Sequence, residues 1–158
     1  MIQKKYTNIA FISYKREDEA WAKWLQKKLE HYKLPTEIRK KNPDLEFYEC
    51  PRHIFKDTTD LSGGVLAKAI KAGLDSSKFL IVICSPRAAK SEWVCKEVQD
   101  FIDTGREEYI IPFIVEGEPY AKDIENECFP ASLKTLAGER ELLGINISEN
   151  GRDASAVK

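Results

Sequence analysis

The chain has 158 residues, of which 42% are hydrophobic and 32% charged, enough to bury a core of its own and too apolar for a disordered segment. Lys and Arg number 25 against 26 Asp and Glu, a net charge of -1, which removes the general electrostatic argument for a nucleic acid or an anionic membrane as partner. The longest apolar runs, 79–84 and 109–115, are too short to span a bilayer, and Met1-Ile2-Gln3-Lys4-Lys5 lacks the apolar stretch of a signal peptide. Cys50, Cys84, Cys95 and Cys128 stand far apart, as do His31 and His53, so no metal-ligand spacing is present. They read as reduced thiols in a cytoplasmic protein.

Residues 8–13 (NIAFIS) form a short apolar run that predicts a buried strand. Trp21, Trp24, Leu25, Leu29 and Tyr32 then share one face of a helix, with Asp18 and Glu19 suited to its positive N-terminal end and Pro35 just beyond its last turn. Residues 36–51 are polar, contain Pro43, and read as a loop up to Pro51. Residues 52–55 give a second short strand, and 56–64 (KDTTDLSGG) a loop rich in turn formers. Leu66, Ala69, Ile70, Gly73 and Leu74 make another helical stripe.

Residues 79–84 (FLIVIC) are apolar throughout, as in a central parallel strand buried on both faces, and Ser85-Pro86 ends it. Ser91 caps a third helix whose core face is Val94, Val98, Phe101 and Ile102, and Gly105 terminates it. A fourth strand follows at 109–115, then a turn at Glu116-Gly117-Glu118-Pro119, a mixed stretch with one short helix, and a fifth strand at 142–147. Strands alternating with helices predict an α/β class: a flavodoxin-like five-stranded parallel sheet, order 2-1-3-4-5, with helices on both faces. Residues 1–158 are expected to be a single domain. Asn150-Gly151 and Asp153 read as the start of a closing helix that is cut short, as in the N-terminal part of a longer protein.

In such a sheet a ligand binds at the carboxyl ends of the strands where their order reverses, here between the first and third. Ser13-Tyr14-Lys15 and Ser85-Pro86-Arg87 leave those strands, and the third helix starts nearby. On it Trp93 and Glu97 stand four residues apart on one flank, offset from the core stripe. An aromatic plane and a carboxylate at a crevice suit cleavage of an N-glycosidic bond to a cationic base. The leaving group already carries charge there, and the carboxylate opposes the oxocarbenium-like centre. The plainer reading is a solvated Glu and a packed Trp. No G-x-G-x-x-G or P-loop pattern is present, and Ser13 and Ser85 stand where phospho-transfer would need acidic residues.

Four motifs in order resemble the TIR (Toll/interleukin-1 receptor) domain family, and its bacterial members most closely. They are Ala10-Phe11-Ile12-Ser13-Tyr14 with the following acidic cluster and Trp21; Ile54-Phe55-Lys56-Asp57 leading to Leu61-Ser62-Gly63-Gly64; residues 80–86 (LIVICSP); and residues 91–98 (SEWVCKEV). The likeness spans roughly residues 8 to 150. It implies one of two functions. One is hydrolysis or cyclisation of NAD with release of nicotinamide, often in bacterial antiphage defence. The other is a non-catalytic module that signals by docking onto other TIR domains. For the enzymatic function the resemblance implies Glu97 as the catalytic carboxylate, four residues after Trp93. It also implies an NAD pocket lined by Phe11, Ser13, Tyr14 and Trp93, and no cofactor or metal beyond NAD as substrate. The loop with Asp57, Leu61, Gly63 and Gly64 corresponds to the family's assembly loop, which implies self-association. Many members carry Cys directly after the Trp. Here Val94 intervenes before Cys95, with the Trp-to-Glu spacing intact. Glu97, often missing from adaptor members, favours the enzyme.

Overall fold

The computed structural model describes residues 6–32, 36–41, 54–56, 64–139 and 144–147. Within them β1 (Asn8–Ser13), β2 (Ile54–Lys56), β3 (Ser77–Cys84), β4 (Ile110–Ile114) and β5 (Ile145–Asn146) form one sheet in the order β2-β1-β3-β4-β5. Every pairing is parallel, with Ser13 opposite Val82 and Cys84 opposite Ile114. The helices are α1 (Glu19–Glu30), α2 (Thr36–Lys41), α3 (Gly64–Asp75), α4 (Pro86–Ala89), α5 (Glu92–Asp103) and α6 (Ala131–Glu139). The class is α/β, a parallel sheet flanked by helices.

Side chains alternate across a strand, so β1 and β3 each feed two cores. Phe11, Leu80, Val82 and Cys84 face α3, α5 and α6, and pack with Leu74, Val94, Val98, Phe101 and Leu133. Ala10, Ile12, Ile81 and Ile83 face the other way, onto Ala22 and Leu25 of α1. Near-complete burial of β3 follows from its central place, and explains why 79–84 shows no polar alternation. Ser91 caps α5 as its position predicts, its Oγ accepting from the Val94 N–H at 3.2 Å. Gly105, at φ +79°, takes the chain out of that helix in the left-handed region.

The structure corrects several local readings. Residues 36–41, read as loop, are the helix α2. Tyr32 lies beyond the end of α1 and is half exposed. Ala69, expected on the core stripe of α3, faces solvent, whereas Ile70 and Leu74 are buried. A four-residue helix, α4, was missed; Ser85 caps it by accepting from the Ala88 N–H at 3.1 Å. Residues 57–63, Cys50, His53 and the closing-helix pattern at Asp153 lie outside the described residues.

Among the described residues no helix is long and apolar enough to cross a membrane. Cys84, Cys95 and Cys128 are free thiols. Burial pushes the Cys84 thiol well up, with Cys128 adding to it; burial and the neighbouring Glu127 charge push Cys128 up to about 12. The unfolded chain sheds these protons near the ordinary value of 9.0, before the folded one does. Stability is therefore expected to be unaffected by these thiols below that pH and to fall as pH rises from there toward about 12. Melting temperatures across that range check it. A flat alkaline limb would contradict the burial of both thiols.

Candidate active site

The site is built at the carboxyl end of β1, where β1 and β3 lie side by side and their connections leave for opposite faces. Ser13 is the last residue of β1 and is fully buried. It points to the same face as Phe11, toward α5. Glu97 lies one and a half turns into α5, between the core residues Val94 and Val98, and is 2% exposed. The Ser13 Oγ–H donates to Glu97 Oε1 at 3.2 Å. Glu97, expected to flank the crevice offset from the core stripe, is thus a buried carboxylate, which the helix turns inward against the strand. Where water is excluded, such a charge acts strongly on any positive charge that develops beside it.

The other sequence-derived residues distribute unevenly. Trp93, four residues before Glu97, is half-buried and packs against the α3–α5–α6 core, with Lys96 Nζ 5.8 Å from its ring centre. Phe11 is wholly buried in that same core, two residues upstream of Ser13. Tyr14 goes to the opposite face and joins the α1 cluster, as the alternation along β1 dictates. Gly64 is the first residue of α3, and Asp57, Leu61 and Gly63 lie outside the described residues. The structure therefore brings Ser13 and Glu97 into contact, keeps Phe11 on their side, and turns Tyr14 away.

Sequence reasoning missed a second polar cluster above the same strand ends. Asp18 precedes α1 and is 2% exposed, yet its carboxylate does not cap that helix. Its Oδ2 accepts from Ser85 Oγ at 2.5 Å, and its Oδ1 from Arg87 Nε and Nη2 at 3.1 and 2.8 Å. Arg87 Nη1 also pairs with Glu116 Oε2 at 2.6 Å. These contacts push the guanidinium's pKa further up, chiefly through the hydrogen bond to Asp18. The available signal was opposite charge, Asp18 and Arg87, just beyond two strands expected to be neighbours.

A separate open groove of about 670 Å³ lies on the α6 side of α5, lined by Lys90, Ser91, Cys95, Gln99, Ser132 and Thr135. Cys95 and Ser132 are bonded to one another there, and neither Glu97 nor Trp93 lines it. Among the described residues no group of three or more His, Cys, Asp or Glu is gathered to hold a metal ion.

A parallel α/β domain with a buried carboxylate under its strand-order switch point is the class that fold and site define. A model of the TIR domain family matches residues 10–150, and the chain belongs to that family. Among characterised proteins it is similar to the NAD(+) hydrolase ApTIR of Actinoplanes sp., with 31% identity over 94 residues. That match takes in 54% of this chain and 13% of the relative's length. Among solved structures it is similar to the TIR domains of the activated Roq1 resistosome directly recognizing the pathogen effector XopQ. There the TM-score is 0.55 at 15% identity, covering 96% of this chain and 95% of that one. At that identity the likeness concerns the fold alone.

Proposed function

We propose that this domain cleaves the bond between nicotinamide and ribose in NAD, as a flavodoxin-like, five-stranded TIR enzyme working in the cytoplasm and in bacterial defence signalling. The observation that carries the proposal is the buried Glu97 carboxylate held by Ser13 at the carboxyl end of β1. The similarity to a bacterial NAD(+) hydrolase supports the substrate. In NAD the nicotinamide ring is cationic. As the glycosidic bond breaks, its electron pair returns to the ring, which leaves neutral, and positive charge moves onto the ribose. Glu97 opposes that charge. Ser13 fixes one carboxylate oxygen, so the group does not have to reorient as the charge develops. Water then attacks the anomeric carbon and gives up a proton to solvent, yielding ADP-ribose, or a nucleophile of the substrate itself reaches it first to give a cyclic isomer.

Incubating the purified protein with NAD and measuring nicotinamide tests the reading. Release above background supports it. None at any protein concentration, from folded protein, leaves the non-catalytic interaction module. Trp93 is proposed to stack on the nicotinamide ring, with some cation–π character. Trp93→Ala is then expected to weaken turnover by about tenfold, and Trp93→Phe to keep part of it. A fully active Trp93→Ala protein would reject the stacking role, leaving the packing against the α5 core as its whole purpose.

Glu97 is covered in the isolated domain, and the 56–64 loop is proposed to assemble with a second copy and complete the crevice. Such a contact joins different surfaces and propagates head to tail. Nicotinamide release should then rise faster than linearly with protein concentration, and Leu61→Asp should flatten that rise by placing a charge in the contact. Strict proportionality in wild type and variant alike would exclude assembly.

A further inference from the structure

We propose that Asp18 is a positioning residue that sets, through Ser85 and Arg87, where α5 carries Glu97 relative to Ser13. The inference rests on the NAD-cleavage reading for its kinetic consequence and on geometry for the rest. The β1–β3 pairing fixes Ser13 beside Val82. What the sheet leaves open is how the step from β3 through α4 into α5 sits above it. Asp18 closes that step from both sides.

On the β1 side only residues 14–17 separate Asp18 from Ser13, and the Asp18 N–H donates to the Lys15 carbonyl at 2.7 Å, so the connection is short and bonded to itself. On the β3 side Asp18 holds Ser85, the cap of α4, and Arg87, within α4. From α4 the path is continuous. The Ser91 N–H donates to the Ala88 carbonyl at 3.0 Å, Ser91 caps α5, and Glu97 follows on the same helix. The Ser13–Glu97 hydrogen bond is thus one link of a closed ring whose opposite link is the Asp18 cluster.

The cluster is made for position. All three hydrogen bonds to Asp18 are charge-assisted, two of them come from the rigid fork of one guanidinium, and the carboxylate is shielded from solvent. Cationic chemistry at this point is already spent, because Arg87 is also paired with Glu116. Holding catalytic groups to a fraction of an ångström is where such rigidity shows, since small displacements cost large factors in rate.

The test compares Asp18→Asn with Arg87→Lys, which keeps every formal charge and loses only the fork. Leu25→Ala, which opens the core on the other face of the sheet, controls for lost stability. Full-length protein is assayed at a temperature where circular dichroism shows each variant folded. Two quantities are read: the NAD rate split into kcat and KM, and the side-chain carboxyl carbon resonance of Glu97, identified by its loss in Glu97→Gln. Asp18→Asn and Arg87→Lys are expected to lower kcat at least about tenfold with KM little changed, and to move the Glu97 resonance, while Leu25→Ala does neither. If both variants lose only melting temperature, with kcat within about twofold and the resonance unmoved, the cluster is structural and the inference is overturned. If wild type releases no nicotinamide, the NAD reading fails, and the Glu97 resonance alone decides the positioning role.

Discussion

Glu97→Gln is expected to lower nicotinamide release by about a hundred- to a thousand-fold in a protein that still folds. The amide has the shape of the carboxylate and its oxygen still accepts from the Ser13 hydroxyl, so the change removes the charge and little else. Loss of rate with an unchanged melting temperature isolates the electrostatic role. Glu97→Ala should be as inactive, but it also leaves the buried Ser13 hydroxyl without this acceptor beside a new cavity, which costs about 1–3 kcal/mol of stability. Spacing alone places Glu97 off the core stripe, but its burial gives its removal a structural cost. Near-normal turnover in folded Glu97→Gln would refute the assignment.

Phe101→Ala should produce the largest loss of stability, about 3–5 kcal/mol. The ring is fully buried between α5 and the sheet, and the Arg106 guanidinium lies 4.2 Å from its centre. Arg106 in turn donates to the carbonyls of Leu74 and Ser77, joining the end of α3 to the start of β3. Truncation therefore empties a core site and removes the surface against which a buried cation packs. With a total near 5–15 kcal/mol for a domain of ordinary stability, much of the margin disappears. Urea unfolding measures it. A loss under about 1 kcal/mol would mean that the ring is not in the core.

Much of the fold was legible because its signals are local. The apolar run at 79–84 declared a central strand, and Ser91 with Val94, Val98 and Phe101 declared a capped amphipathic helix. Each depends on a few consecutive residues and the fixed periods of helix and strand. The errors were local as well. Residues 36–41 form α2 despite a composition that reads as loop, and Tyr32 fits the stripe of α1 although the helix has already ended.

The candidate site was half legible. Trp93 and Glu97 came from spacing on one helix and from the resemblance of four motifs. The turn of Tyr14 away from Phe11 and Ser13 was available from alternation alone. What the sequence by itself determined, then, is the class, the alternation of strands with the main helices, the Ser91 cap, and which helix carries the carboxylate. Only the tertiary structure decided that Glu97 is buried against Ser13, 84 residues away, and that Asp18 serves Arg87, 69 residues away, instead of capping its own helix. The reason is physical. A helix period fixes which residues share a face, but whether a polar residue on that face meets solvent or a partner depends on what the sheet brings opposite. That is set when distant strands pair and the two cores close.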